Sequence, residues 1–189
     1  MLRQITVSLL AVATAASIAF AGEEPKGAAK VPDPPFIIGQ VRIQDSKGFD
    51  YFYVSGSAKM EQMPIVMGQL MGKLEPAIKE GKVVDIGGPV AIYTMTKPDA
   101  PISIQVGVPT EGEAKPVGDA KVRKVEGKRT ASLIYVGPLT SIAQAYQALE
   151  KAIKDKGLTA GGEWREFYLY WEGQDSANNV YMLQATLKE

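Results

Sequence analysis

Glu166 is the residue whose sequence surroundings most suggest chemistry. It lies in the run REFYLYW, residues 165–171, in which aromatic residues predominate. Side chains alternate between the two faces of an extended strand, so Glu166 shares one face with Trp164, Tyr168 and Tyr170. The other face carries Phe167, Leu169 and Trp171, and we expect it to pack on a core. A carboxylate among rings with polar tips is typical of a wetted strand face, or of a pocket with a few placed polar groups.

The composition removes many alternative chemistries. The 189 residues include no histidine and no cysteine. This excludes serine–histidine and cysteine nucleophile sites, disulfides, and metal or haem sites held by imidazole or thiolate. Basic and acidic residues number 21 each, so no net charge attracts nucleic acid. We predict no metal site, no cofactor and no nucleic-acid partner.

Two other sequence patterns resemble binding sites. Four methionines in MEQMPIVMGQLMG, at positions 60, 63, 67 and 71, could offer thioether ligands to Cu(I). Their helical spacing favours packing on a core instead. The basic run KVRKVEGKR, residues 121–129, alternates with valine, which indicates a solvated strand edge rather than a polyanion site.

The N-terminal residues have the pattern of a secretory signal peptide. Arg3 precedes an apolar run from Ile5 to Phe20, and Ala19-Phe20-Ala21 is a small-x-small cleavage sequence. We predict cleavage after Ala21 and a periplasmic or secreted protein without a membrane association after cleavage; an uncleaved anchor helix is the alternative. Residues 22–35, rich in Pro, Gly, Ala and charge, are predicted to be a flexible linker.

The remaining chain, residues 36–189, contains an internal repeat. LEPAIKE at 74–80 and LEKAIKD at 149–155 agree at five of seven positions, with an offset of 75 residues. The same offset relates apolar positions upstream of both segments and pairs Tyr93 with Tyr168. We predict a first half at about 36–110, a connector at 111–126 and a second half at 127–189.

Each half has the pattern of a strand, a helix and two further strands. The strands are expected at 49–54, 89–95 and 102–108, and at 130–136, 164–171 and 180–187; the helices at 64–80 and 138–156; and an additional edge strand at 36–44. Pro76 should kink or split the first helix. We therefore predict an α+β fold, in which duplicated strand-helix-strand-strand units form an antiparallel concave sheet with two helices on one face. We expect Glu166 on the opposite face, which the helices leave open.

This duplicated unit resembles the GyrI-like small-molecule-binding domain, the effector-binding module of AraC- and MerR-type multidrug-responsive regulators, in an exported, stand-alone form. The segments that carry the resemblance are YVGP at 135–138, AY at 145–146, Leu149, Gly157, Gly162 and EFYL at 166–169. Leu139 replaces the aromatic residue that usually follows Gly-Pro, and Tyr135 stands where many members have histidine. The resemblance implies that Glu166 faces a groove between the halves and meets lipophilic cations.

Two functions remain open from the sequence. The first is binding of an amphipathic or cationic organic ligand, with Glu166 as the charged anchor. The groove is predicted to be lined by Trp164, Tyr168, Tyr170, Tyr93 and Tyr135. The second is hydrolysis of reactive small molecules by Glu166 with groove aromatics, as the resemblance implies for a subset of these proteins. On the 75-residue offset Ala91 occupies the place of Glu166 in the first half, so the repeat supplies no second acid, which favours binding over catalysis.

Overall fold

The computed structural model describes residues 36–95, 100–112 and 114–188. The predicted signal peptide, the linker and most of the turn predicted after residue 95 lie outside these ranges. The elements are β1 (Ile37–Ile38), β2 (Arg42–Asp45), β3 (Phe49–Ala58), α1 (Met63–Gly81), β4 (Val90–Thr94), β5 (Ile102–Thr110), β6 (Lys121–Val125), β7 (Arg129–Val136), α2 (Ile142–Asp155), β8 (Ala160–Tyr170) and β9 (Val180–Leu187). One 3₁₀ turn precedes each helix, at Met60–Gln62 and at Leu139–Ser141.

The predicted duplication is present in the topology. The units β3-α1-β4-β5 and β7-α2-β8-β9 have the same order, and all strand pairs are antiparallel. The sheet order is β1-β7-β9-β8-β4-β5-β3-β6, and β2 also pairs with β7. At the centre β4 pairs with β8, so that Ala91 lies opposite Glu166 and Tyr93 opposite Trp164. The predicted α+β fold, with two helices on one face of an antiparallel sheet, is confirmed.

Both helices pack through apolar positions spaced three and four residues apart. α1 buries Leu70, Leu74 and Ala77, mainly over β3 and β5. α2 buries Ala145, Leu149 and Ile153, mainly over β7 and β9. Full burial of one large aliphatic side chain stabilises a fold by about 1.5–3 kcal/mol, so each helix is held by its own half. The central strands β4 and β8 are left between the helices.

The prediction that Glu166 lies on the face opposite the helices is wrong. Glu166 accepts a hydrogen bond from Tyr146 of α2, which places it on the helix face. The opposite face has its own core, formed by Tyr51, Val90, Ile92 and Val125. The prediction failed because it assumed that two helices cover the whole face they pack on, whereas they cover only its outer strands.

Two short links cross the face opposite the helices. Residues 46–48 join β2 to β3 and residues 126–128 join β6 to β7, although these strands lie far apart in the sheet order. Four residue steps span at most about 14 Å, whereas the joined strands are six strand spacings apart in the sheet order, which at about 4.8 Å each make roughly 29 Å. The sheet must therefore bend strongly across its width.

The two links touch through their backbones at two glycines. A Cβ on Gly48 would lie 2.7 Å from the Val125 carbonyl oxygen, and one on Gly127 would lie 2.5 Å from that of Ser46. No side chain fits at either position without displacing backbone.

Three further features differ in detail from the sequence-based expectations. Pro76 lies inside α1, yet α1 is one continuous helix and is not split. β6 is an additional strand inside the predicted connector and pairs with β3 at the edge of the sheet. None of the helices in the described residues has the length and apolar character needed to cross a membrane.

Candidate functional site

The candidate site is the strip of the sheet that lies between the two helices, and we call this strip the central groove. Its floor is the helix-facing side of β4 and β8, with Tyr93, Trp164, Glu166 and Tyr168. Tyr146 of α2 and Met67 of α1 flank it; the hydroxyl of Tyr93 lies 3.9 Å from the Met67 sulfur. The three tyrosine side chains are half-buried, whereas Glu166 beneath them is only 5% exposed.

The Glu166 carboxylate accepts hydrogen bonds from three tyrosine hydroxyls. Tyr146 donates to Oε1 at 2.5 Å, and Tyr93 and Tyr168 donate to Oε2 at 2.9 Å and 3.0 Å. An ionised carboxylate only accepts hydrogen bonds, and hydroxyls can supply all three donors. The arrangement therefore suits the ionised form of Glu166.

Among the described residues no lysine or arginine pairs with Glu166. Burial raises the pKa of Glu166, and the three tyrosine hydrogen bonds oppose that rise. Burial, followed by the negative charge of Glu166, raises the pKa values of Tyr93, Tyr146 and Tyr168 well above normal. The site is thus a buried acid solvated by neutral hydroxyls, and no basic side chain in the described part of the chain pairs with it.

Strand periodicity explains how the floor is built. Trp164, Glu166 and Tyr168 are alternate residues of β8, and Tyr93 stands beside Trp164 on β4. The repeat relates Tyr93 to Tyr168, so the two halves supply equivalent tyrosines to the same carboxylate oxygen. Trp164 is 5% exposed and packs edge-on against Tyr146, with ring centroids 5.6 Å apart.

The other two predicted groove residues do not reach the carboxylate. Tyr135 of β7 is fully buried, and its hydroxyl donates to the Pro138 carbonyl at 2.8 Å. Tyr170 is 45% exposed and donates to Glu172 at 2.7 Å. An irregularity in the pairing of β8 with β9 between Tyr168 and Tyr170 interrupts the strict alternation on which the prediction for Tyr170 relied.

Tyr146 was not predicted as a groove residue. The repeat matched it to Met71 and made it one of the inward positions of α2. Among these inward positions Tyr146 alone has a polar group, its hydroxyl. A buried tyrosine hydroxyl usually has a hydrogen-bond partner. That signal points to a buried acceptor, and in the structure the acceptor is Glu166.

The methionine segment packs as predicted. Met63, Met67 and Met71 lie half-buried against the core between α1 and strands β3 and β5, whereas Met60 is 66% exposed. The described residues contain no cluster of three or more acidic side chains placed to hold a metal ion.

Comparisons with known proteins gave matches only among solved structures; no family model and no curated protein matches the chain. The crystal structure of the EcmrR C-terminal domain superposes with a TM-score of 0.66 at 16% identity, covering 80% of this chain and 98% of that one. The EcmrR chain in the cryo-EM structure of an EcmrR–DNA complex also matches, and this chain spans 58% of its length.

Two further matches have still lower identity. SAV2435 bound to tetraphenylphosphonium has a TM-score of 0.60 at 11% identity, with coverage of 79% of this chain and 94% of that one. A hydrolase encoded by lin2189 from Listeria innocua has a TM-score of 0.52 at 10% identity, with coverage of 79% and 92%. At such identities the likeness concerns the fold. The chain therefore has the fold of the EcmrR C-terminal domain, the fold that its resemblance to GyrI-like small-molecule-binding domains implies.

Proposed function

We propose that this protein binds an amphipathic organic cation in the central groove, with Glu166 as the anionic anchor. The observation that carries the proposal is a buried carboxylate with no cationic partner among the described residues. A buried charge without a counter-charge is costly. A cationic ligand supplies the missing charge.

The half-buried tyrosine rings support the same ligand class. A cation lying over Tyr93, Tyr146 or Tyr168 gains about 0.5–2 kcal/mol from the ring face. The ionised carboxylate beneath adds roughly 3 kcal/mol at about 6 Å, with an effective dielectric constant near 20. SAV2435, which shares the fold, is bound to tetraphenylphosphonium, a lipophilic cation.

Isothermal titration with tetraphenylphosphonium tests the proposal. Glu166→Gln should weaken binding by about tenfold or more, because it removes the charge and keeps the shape. Glu150→Gln, at an exposed position of α2, makes the same change in net charge and should leave binding unchanged. Triphenylphosphine oxide, which is aromatic but neutral, should bind equally to the wild type and Glu166→Gln. Equal weakening by both substitutions would remove Glu166 as the anchor.

Hydrolysis of a reactive small molecule is the second candidate. The raised pKa of Glu166 favours general-base work, and the hydroxyl of Tyr168 lies 3.0 Å from the carboxylate as a proton donor. Incubation with a strained electrophile decides between the two: turnover abolished in Glu166→Gln supports the enzyme, and retention of the intact compound supports the binder.

We also propose that the protein is exported, on the strength of its N-terminal residues. Intact mass of the protein recovered from an expressing bacterium should correspond to a chain that begins at Gly22. A mass that includes Met1–Ala21 would contradict export by a cleaved signal peptide.

A further inference from the structure

The groove floor continues beyond Glu166 as a row of aromatic rings. Tyr135, Tyr181 and Tyr168 stand in register across β7, β9 and β8. Their ring centroids are 5.7 Å and 5.3 Å apart, so the rings are in contact along the row. The row begins at Tyr168, which donates to Glu166, and it therefore adjoins the proposed cation site.

Trp171 joins this row, contrary to the alternation expected for the strand. It lies just past the end of β8, after the pairing irregularity, and its ring centroid is 5.9 Å from that of Tyr168 and 6.3 Å from that of Tyr181. Trp171 is 46% exposed, whereas Tyr181 is fully buried. Trp171 is thus the solvent-facing member of the cluster.

The hydroxyl of Tyr181 is buried and makes no hydrogen bond of normal geometry among the described residues. Burial raises its pKa, and the nearby Asn179 side chain opposes that rise by pointing a donor at the oxygen, which leaves the hydroxyl proton without an acceptor in the described ranges. Leaving such a group buried and unpaired is destabilising, and each case calls for an explanation. The neighbouring Tyr135 shows the ordinary solution, because its hydroxyl bonds to a backbone carbonyl. Tyr181 instead holds a free donor next to a ligand groove.

We propose that Tyr168, Tyr181 and Trp171 form a second subsite of the groove, which takes an aryl group bearing a hydrogen-bond acceptor. The acceptor pairs with the Tyr181 hydroxyl when the exposed Trp171 ring moves aside and covers the aryl group. This inference rests on the proposed function, and it narrows the ligand class to aromatic cations with an acceptor on one ring.

A pair of probes of equal shape isolates the acceptor. (4-Acetylphenyl)triphenylphosphonium carries a carbonyl oxygen, which accepts hydrogen bonds. In (4-isopropylphenyl)triphenylphosphonium a methyl group takes the place of that oxygen. For the wild type we expect the acetyl compound to bind about fivefold more tightly, as one neutral hydrogen bond allows. Tyr181→Phe should abolish this preference and leave the affinity for the isopropyl compound unchanged.

Two further readouts distinguish binding from folding and locate the probe. Tyr181→Phe should be at least as stable to urea as the wild type, since it removes an unpaired buried hydroxyl. Trp164 and Trp171 are the only tryptophans, so in Trp164→Phe all tryptophan fluorescence comes from Trp171. This fluorescence should shift when either probe binds.

The outcomes separate this inference from the proposed function. If both probes bind through Glu166 with equal affinity, or the preference survives in Tyr181→Phe, the subsite is wrong and the cation site stands. Bound probe without any change in Trp171 emission also overturns the subsite. If neither probe binds the wild type, the subsite is wrong, and the cation site falls with it only when tetraphenylphosphonium does not bind either.

Discussion

At the scale of single residues, Glu166 ties stability and ligand affinity to pH in opposite directions. Its pKa is raised in the folded protein, so between the ordinary glutamate value of about 4.3 and the raised value the folded state holds more protons than the unfolded chain. The free energy of unfolding therefore falls as pH rises through this window. The cation affinity that we propose should rise through the same window, because only the ionised carboxylate attracts a cation.

The measurement is urea denaturation and tetraphenylphosphonium titration from about pH 4 to pH 8. The unfolding free energy of the wild type minus that of Glu166→Gln should decrease as the pH rises, because only the wild type has the titrating carboxyl group. A difference that stays flat or rises would show that the tyrosine hydrogen bonds outweigh burial in setting the pKa of Glu166.

Tyr146 supplies the only hydrogen bond given to Oε1 of Glu166 among the described residues. Tyr146→Phe should therefore raise the pKa of Glu166 further and lower stability at pH 8 by about 1.5–3 kcal/mol, the range for a hydrogen bond to a charged group. The loss should be smaller at pH 5, where more of the carboxyl is protonated.

Tyr135→Phe is the matched control for Tyr146→Phe. It removes a tyrosine hydroxyl bonded to a neutral carbonyl, so its cost should be the same at both pH values. If Tyr146→Phe behaves in this way too, Tyr146 does not act through the charge of Glu166.

Sequence periodicity was enough to bring Glu166, Tyr93 and Tyr168 together, because alternate strand residues share a face and the repeat aligned the two tyrosines. It failed for Tyr170 and Trp171, whose positions depend on a pairing irregularity after Tyr168. No local signal marks that irregularity, since it arises from the fit of β8 to β9.

At the scale of elements, the two helices were predicted within a few residues of their ends. Gly157 ends α2 with φ +68°, as its position after the last apolar residue indicates. Pro138 was expected to lie at the start of the helix, but it is extended and precedes a 3₁₀ turn. The crossing of the two links could not be predicted, because it depends on which strands become neighbours across the whole sheet.

Two glycine substitutions distinguish helix glycines from glycines that permit close backbone contact. An added Cβ on Gly68 of α1 meets no heavy atom within 4 Å, so Gly68→Ala should stabilise the protein by about 0.5–1 kcal/mol through helix propensity. Gly127→Ala should destabilise it by about 1–3 kcal/mol through overpacking against the Ser46 carbonyl. Urea midpoints measure both effects. A neutral Gly127→Ala would mean that the links lie further apart.

At the scale of the whole molecule, the repeat in the sequence predicted two equivalent halves but not which face of the sheet they leave open. Both faces of β8 carry aromatic residues, so the pattern of Glu166 and its neighbours is compatible with either face. Tertiary packing determines which face stays open at the central strands, because the helices cover the outer strands of one face and the links cross the other.

Arg165 connects the central strand to one of those links. It is 1% exposed and faces away from the helices. Its Nε donates to the Glu163 carboxylate at 2.8 Å, its Nη1 to the Gln184 side-chain oxygen at 3.2 Å and its Nη2 to the Glu126 backbone carbonyl at 3.3 Å. Arg165 thus connects β8 and β9 to the β6–β7 link. These contacts stabilise the bent form of the sheet.

Arg165→Met should therefore cost about 3–5 kcal/mol of unfolding free energy, because it leaves the largely buried Glu163 carboxylate without its partner. Lys151→Met breaks a pair that is exposed on α2 and should change stability little. Adding Glu163→Gln to Arg165→Met should restore part of the loss, since the unpaired charge is then removed. Urea denaturation of the two single variants and the double variant gives the coupling. Additive losses would mean that Arg165 stabilises the fold through packing alone, and the bend of the sheet would then depend on the close contact of the glycine links.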